Sequence, residues 1–290
     1  MSGKDHDLLI QRLVTAGIDI YDARLEVAAM EECAGSEEEL LSFISRREKN
    51  EPAAYILGYK DFYRSRFHVT PEVLIPRSDT ELLVETGLRF LDCLDMPLGD
   101  VQRIDPVKRG GTALVADLCT GTGCVGLSIF GQMREKGRDI RLYMADISDK
   151  ALNCASQNVS NLVTESDKTL VSLLTDDILE TDGSKYTREG RLDLIVSNPP
   201  YITDEEMKEL PEDVLYEPDL ALRGGEDGLL FYFRLAFISK RILKENGALA
   251  VEHGCDQGAK VREIFAKSGF NNVTTLRDYG GNERVTFGRL

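Results

Sequence analysis

The sequence predicts an α/β protein, a mostly parallel sheet with helices on both faces and an antiparallel last strand, preceded by a small helical domain. Three observations predict it. From about residue 113 onward, near-continuous apolar runs of strand length alternate with helical spacings. The first fifty residues carry only the three- and four-residue apolar spacings of helices. The chain then ends on two strand patterns joined by Gly-Gly-Asn with no helix between them, which makes the final strand antiparallel. At 290 residues the chain exceeds an ordinary single domain, which fits one large unit and one small one.

In chain order, "LLIQRLVTAGI", "YDARLEVAAMEECA" and "SEEELLSFISRREKN" read as three helices, the last opened by a capping box of Ser36 and Glu39. They form the expected helical domain, residues 1–50. Residues 51–75 switch to aromatic and β-branched types with turn signals and predict a hairpin linking the domains. Its "RSRFH" is a local basic spot, either a solvated face or a binding patch. Residues 76–290 make the main domain. "DTELLVETGLRFLDCL" predicts a helix capped by Asp79 or Thr80, and residues 95–111, rich in Pro, Gly and charge, an exposed loop. Strands follow near 113–118, 140–146, 169–174, 192–197 and 247–252, with helices near 124–136, 149–160 and 228–244.

Composition narrows the function. A hydrophobic content of 42% supplies a real core, and the longest apolar run, "LLFYFRLAFI", is broken by Arg234 and falls short of a membrane span. The first residues mix charges without the basic-then-apolar order of a leader, so a soluble, cytoplasmic protein is expected. Six cysteines without a CxxC pair and three scattered histidines point to reduced thiols and no metal. The formal charge of −15 would repel a phosphate backbone and disfavours nucleic acid as a partner.

Two turns carry chemistry. In "VADLCTGTGCVGLSI" a glycine-rich turn joins a strand to a helix, letting backbone approach a ligand and aiming free N–H groups at a negative one. Neither GxGxxG nor a P-loop is satisfied, so a nucleoside ligand carrying a carboxylate fits better than a dinucleotide or a triphosphate. Asp146 ends the next strand, 23 residues beyond Gly123, where an acid accepts hydrogen bonds from ribose hydroxyls. It could instead cap the helix that follows, a duty for which Ser148 and Asp149 compete. Asp176 and Asp177 follow the third strand, either at an adenine or in a plain turn. Asp117 could orient the glycine loop, meet a ligand's ammonium, or be structural.

The second turn is Asn198-Pro199-Pro200-Tyr201, at the carboxyl end of the fourth strand, where open α/β sheets bind ligands. Each proline keeps the residue before it extended and removes an N–H, leaving a stiff corner rich in acceptors. An incoming –NH2 can donate to the Asn198 side-chain oxygen and to the Pro199 carbonyl, with Tyr201 against its flat face. Two acceptors would hold a poorly nucleophilic nitrogen in line with a sulfonium methyl, at about 3 to 3.5 Å. They would also stabilise the positive charge that develops on it.

With these motifs on the page, the chain resembles the HemK/PrmC family of S-adenosylmethionine-dependent protein glutamine methyltransferases, which modify the glutamine of the Gly-Gly-Gln motif in peptide chain release factors. Beyond "SNPPY" and "DLCTGTGCVGLSI", the resemblance rests on "EPAAYILGYKDFY", "LIPRSDTELLVE", "EPDLALRGGEDGL" and "DYGGNERVTFGR", so it covers nearly the whole chain. It implies a Rossmann-like methyltransferase fold with a seven-stranded sheet, S-adenosyl-L-methionine as cofactor, and release factors as partners docked by the helical domain. It implies that Thr120, Gly121, Thr122, Gly123 and Asp146 hold the cofactor, with Asp117, Cys119, Asp176, Asp177 and Asn198 as further candidates. Asn198, Pro199, Pro200 and Tyr201 would hold the glutamine, with Arg77 and Glu81 either at the substrate or forming an ion pair. Asn198, Pro199 and Tyr201 are the catalytic candidates. Three positions depart from the family pattern: Cys119 stands at the first glycine of the turn, Ser78 at a usual proline, and Asp177 where some members carry tryptophan. Two rival readings are an adenine-N6 nucleic-acid methyltransferase, which shares Asn-Pro-Pro-Tyr but fits the negative charge poorly, and an inactive cofactor-binding scaffold.

Overall fold

Three amphipathic helices open the chain, α1 (Gly3–Thr15), α2 (Ile20–Cys33) and α3 (Glu37–Arg47), in a computed structural model that describes residues 3–107 and 110–290. Ser36 caps α3 by accepting the Glu39 N–H at 3.2 Å, while the Glu39 carboxylate reaches back to the Gly35 N–H at 2.7 Å, one residue beyond the N–H that a standard box engages. Leu13, Val27, Met30 and Ile44 are wholly buried between these helices, together with Ile56 from α4 (Ala53–Leu57). That helix was not expected. Pro52 sits just before its first residue and Gly58, at φ +77°, stops it, so a helical turn precedes the hairpin β1 (Tyr59–Phe62) and β2 (Ser65–His68). The basic spot on the hairpin is neutralised within the chain: Arg66 pairs with Asp61 at 2.8 Å and lies over the Tyr59 ring.

A single 3-10 turn, Ser78–Thr80, leads into α5 (Glu81–Phe90), and Thr80 occupies the N-cap without making a cap hydrogen bond. In the expected loop 95–111, Gly99–Arg103 forms a further 3-10 turn, while Lys108 and Arg109 lie outside the described residues. Then come β3 (Ala113–Leu118), α6 (Cys124–Glu135), β4 (Ile140–Asp146), α7 (Asp149–Leu162), β5 (Val171–Thr175) and β6 (Leu192–Ser197). Three short elements were absent from the sequence reading: β7 (Ile202–Thr203), α8 (Asp219–Leu222) and β8 (Arg223–Gly225). The chain closes with α9 (Leu230–Ile242), β9 (Leu243–Glu252), α10 (Gly258–Lys267), β10 (Asn271–Arg277) and β11 (Glu283–Arg289).

Seven strands form one sheet in the order β10-β11-β9-β6-β3-β4-β5. β9, β6, β3, β4 and β5 are parallel neighbours, and β11 pairs antiparallel with both β9 and β10. The order reverses at β3, so the loops after β3 and β6 diverge and leave a crevice at their carboxyl ends. Period-two alternation feeds both faces: Val115, Leu142, Val196 and Ala250 enter the core beneath α5 and α6, whereas Ala116, Tyr143, Ile195 and Leu249 enter the core beneath α9 and α10. At Gly87 a Cβ would stand 2.9 Å from Ile129 and 3.2 Å from Leu194, so glycine sets how closely α5 meets α6 and the sheet. The apolar run around Arg234 is a surface helix: Leu230, Phe233 and Phe237 remain exposed, and Arg234 donates to the carbonyls of Ile178 and Thr181. Among the described residues no helix is long and apolar enough to cross a membrane.

Candidate active site

A cavity of about 310 Å³ opens at the crevice, lined by the glycine turn, the ends of β4 and β5, residues 72–77 and the start of the Asn198 corner. The β3–α6 turn is built from strained and small residues. Cys119 has φ +60°, Gly121 +54° and Gly123 +82°, so three of five consecutive residues lie in the left-handed region. For Cys119 this region costs roughly 1 kcal/mol, which accounts for glycine at this position in the family pattern. At Gly123, which begins α6, a Cβ would fall 2.3 Å from the buried Met144 methyl. Asp117 fixes the turn from below, accepting the Thr120 hydroxyl at 2.6 Å and the Gly126 N–H at 3.0 Å. Burial pushes its carboxyl up to about 7, against the lowering effect of those two donors.

Asp146 stands in the cavity wall, one oxygen accepting the Gly121 N–H at 2.9 Å and the other the Ser148 N–H at 3.0 Å. The helix-capping duty goes to Ser148, which accepts the Ala151 N–H. Each Asp146 oxygen therefore keeps lone-pair capacity for a ligand hydroxyl. Asp176 and Asp177 also line the cavity but are partly committed. Asp176 accepts from Lys185 at 2.7 Å and Tyr186 at 2.6 Å, and Asp177 accepts the Leu179 N–H at 2.8 Å.

At the Asn198 corner, Asn198 and Pro200 line the cavity. The Asn198 amide nitrogen donates to the Thr80 hydroxyl at 3.4 Å, and no donor among the described residues occupies its oxygen or the Pro199 carbonyl. Tyr201, expected against the substrate, is partly buried and is not among the residues lining this cavity. Its carbonyl accepts from Gln257 at 2.9 Å, its ring packs into the core beneath α9, and burial pushes its phenol up to about 12. Gly224 and Gly228 must be glycine for that packing, because a Cβ at either would collide with the Tyr201 backbone at 2.7 and 2.4 Å.

Arg77 lines the cavity and pairs with the buried Glu217, which also accepts the Ile75 N–H at 3.2 Å. Glu81 is turned away: its carboxylate accepts the Tyr63 N–H at 2.8 Å, holding the β1–β2 turn where Tyr63 has φ +54°. The two do not form the ion pair considered from the sequence. Sequence reasoning missed the apolar lining, namely Val73, Leu74, Ile147, Ile178, Leu179 and Phe231. It also missed Pro218 and Ala221, although their "EPDLAL" stretch was one mark of the family resemblance.

Carboxylates that accept hydroxyls, apolar slots beside them, and a cavity wall with Glu72, Asp117, Asp146, Asp176 and Asp177 against Arg77 suit a nucleoside ligand carrying positive charge. S-adenosylmethionine, with its ribose, flat base, sulfonium and ammonium, fits that donor set. The family model described as "Methyltransferase small domain" matches residues 104–230. The release factor glutamine methyltransferase of Clostridium acetobutylicum is 36% identical over 244 residues, 84% of this chain and 76% of that one. The release factor glutamine methyltransferase of Pasteurella multocida is 36% identical over 255 residues, 87% of this chain and 80% of that one. Among solved structures, the hMettl16 catalytic domain in complex with a MAT2A 3′UTR hairpin shares the fold, with a TM-score of 0.52 at 16% identity, over 87% of this chain and 79% of that one. Identity of this level over most of both chains, joined to an Asn-Pro-Pro-Tyr corner at the crevice, makes this chain a member of the release factor glutamine methyltransferase family.

Proposed function

We propose that this chain transfers a methyl group from S-adenosylmethionine to the side-chain amide nitrogen of the glutamine in the Gly-Gly-Gln motif of peptide chain release factors. The observation that carries the reading is Asn198, whose oxygen receives no donor among the described residues and which stands in the wall of the cavity that also holds Asp146. The bound cofactor supplies an electrophilic methyl on a sulfonium. Asp146 would hold the ribose and the loop Cys119–Gly123 would meet the cofactor, while Asp117 keeps that loop in shape. Asp176 and Asp177, with Ile178 and Leu179, would border the base.

Asn198 Oδ1 and the Pro199 carbonyl each accept one N–H of the glutamine amide. This fixes the nitrogen and draws electron density onto it, and it stabilises the cationic nitrogen formed as the methyl arrives. As the nitrogen–methyl bond forms, the methyl's bond to sulfur breaks with its electron pair left on the thioether, S-adenosylhomocysteine, and the cationic nitrogen gives up its proton to water. Pro200 walls the slot, Tyr201 braces the corner from behind, and Arg77 with Glu217 ties residues 75–77 to the segment before α8.

The division into a helical domain of residues 1–50, a linker of 51–75 and a methyltransferase domain of 76–290 belongs to the same proposal. The helical domain docks the release factor, and the exposed Leu8, Tyr21 and Leu25 offer it apolar contacts. The net charge of −15 supports a protein rather than a nucleic-acid partner, and six free thiols support a cytoplasmic setting. The test is incubation with methyl-labelled cofactor and a Gly-Gly-Gln release factor, followed by mass spectrometry of the Gln-containing peptide. Label on that glutamine supports the reading, and its absence under conditions where the cofactor binds overturns it.

A further inference from the structure

A carboxylate that plays no part in the description above lies directly behind the Asn198 corner. Ser197 and Val251 are register partners on β6 and β9, so Asn198 and Glu252 leave neighbouring strands side by side. Glu252 is 2% exposed, and its Oε2 is buried with no hydrogen-bond partner. A carboxylate oxygen buried without a partner is costly, and such groups persist where they do something. Burial pushes this carboxyl up to about 7, while the nearby Thr80 hydroxyl and Arg284 pull it down.

Thr80 links the two residues. It is 2% exposed, occupies the N-cap of α5 without capping it, and accepts the Asn198 Nδ2–H at 3.4 Å. The Thr80 hydroxyl keeps its own hydrogen for a second partner, and the Glu252 carboxylate, at the end of the strand beside Asn198, is a neighbouring group whose charge that hydroxyl stabilises. With that hydrogen directed at Glu252, the hydroxyl shows Asn198 only lone pairs. The amide then has to present Nδ2 to Thr80 and Oδ1 to the cavity. Without Glu252, the same hydroxyl can donate to Asn198 Oδ1, and the carboxamide can turn its nitrogen outward.

We infer that Glu252 is a positioning residue for methyl transfer: acting through the Thr80 hydroxyl, it holds the Asn198 carboxamide with its oxygen facing the substrate amide. The inference rests on the glutamine-transfer reading above. A flipped Asn198 would offer a donor to a donor, which removes one of the two acceptors at the reacting nitrogen.

The test uses the full chain with S-adenosylmethionine and a Gly-Gly-Gln release factor at about pH 8, where Glu252 is a carboxylate. Glu252→Leu is expected to lower kcat about five- to tenfold, the share of Asn198 carboxamides that one hydroxyl hydrogen bond can turn, with cofactor affinity within about threefold of wild type. Its Tm is expected to stay within a few degrees of wild type, because a buried carboxylate with one oxygen unpartnered gives way to an apolar side chain. Thr80→Val should lower kcat by a similar factor, and the double variant should lose no more than either alone, because both act through one hydroxyl. Glu252→Gln, which keeps an acceptor, should restore kcat to within about twofold of wild type. Three results would overturn the inference: a Glu252→Leu enzyme with wild-type kcat, losses that multiply in the double variant, or failure of Glu252→Gln to recover activity while remaining folded. No transfer by the wild type would instead remove the glutamine reading and the inference with it.

Discussion

Replacing Asn198 by alanine separates a catalytic role from a structural one, because the structure assigns the side chain almost nothing to hold. Its single hydrogen bond, from Nδ2 to Thr80, is 3.4 Å long, near the outer limit, and contributes about 0.5 kcal/mol or less. Its oxygen has no donor among the described residues. Loss of the amide should therefore shift Tm by no more than about 2 °C in a chain of this size. Catalysis should respond very differently. One of two acceptors at a nitrogen gaining positive charge is comparable to one donor of an oxyanion hole, so about 2.7–4 kcal/mol of barrier stabilisation is lost, or roughly 100- to 1,000-fold in kcat. Single-turnover transfer of labelled methyl to a Gly-Gly-Gln release factor, with calorimetric titration of the cofactor and a thermal melt on the same preparation, reads all three quantities. A variant within about fivefold of wild type in kcat, or one that melts more than about 5 °C lower, would refute the assignment.

Two alanines in the glycine turn should differ. Gly123→Ala combines φ +82° with a Cβ 2.3 Å from Met144 and should cost about 2–3 kcal/mol in urea denaturation, whereas Gly121→Ala, with no atom within 4 Å, should cost about 1 kcal/mol; equal losses would contradict the packing described. Asp146→Asn turns one of two acceptors toward a backbone N–H as a donor, so calorimetry should show cofactor affinity falling about 10- to 100-fold, and an unchanged affinity would place the ribose elsewhere. Arg77→Ala leaves the buried Glu217 carboxylate without its cation and should destabilise by about 1–3 kcal/mol, a value reduced because Arg77 is itself 44% exposed. Burial raises the Glu217 carboxyl above its unfolded value, so its contribution to stability is full at low pH and is lost as pH rises through the folded value. The Arg77→Ala deficit should therefore be larger at about pH 8 than at about pH 5, and Glu217→Gln in the same chain should remove most of it; a pH-independent deficit would count against this pairing.

Much of this protein was legible without coordinates, for local reasons. Buried strands on a parallel sheet read as apolar runs, and amphipathic helices announce their spacing, so the strands at 113–118, 140–146 and 192–197 and the helices after the first two lie where periodicity put them. Proline and glycine act within a residue or two, which is why the Asn198 corner and the glycine turn could be placed at strand ends from sequence alone. The α4 helix was missed because five residues are too short for periodicity to register, and β7, α8 and β8 for the same reason.

Other features had no sequence signal because they depend on what the sheet brings together. Asp146 and Ser148 compete for one helix end, and only the position of Gly121, 25 residues earlier, leaves Asp146 to the cavity. Arg77 finds Glu217 across 140 residues, Glu81 turns to the Tyr63 N–H, and Tyr201 packs against the core beneath α9. The sequence by itself determined the class of fold, the two ligand-facing turns and the acceptor-rich chemistry of one of them, because backbone conformation and apolar periodicity are short-range properties. Tertiary structure alone decided which carboxylates are free to bind, which side chains close the cavity, and that Glu252 and Thr80 stand behind Asn198. Hydrogen-bond partners are chosen by proximity in space, and the order in which strands enter the sheet fixes that proximity.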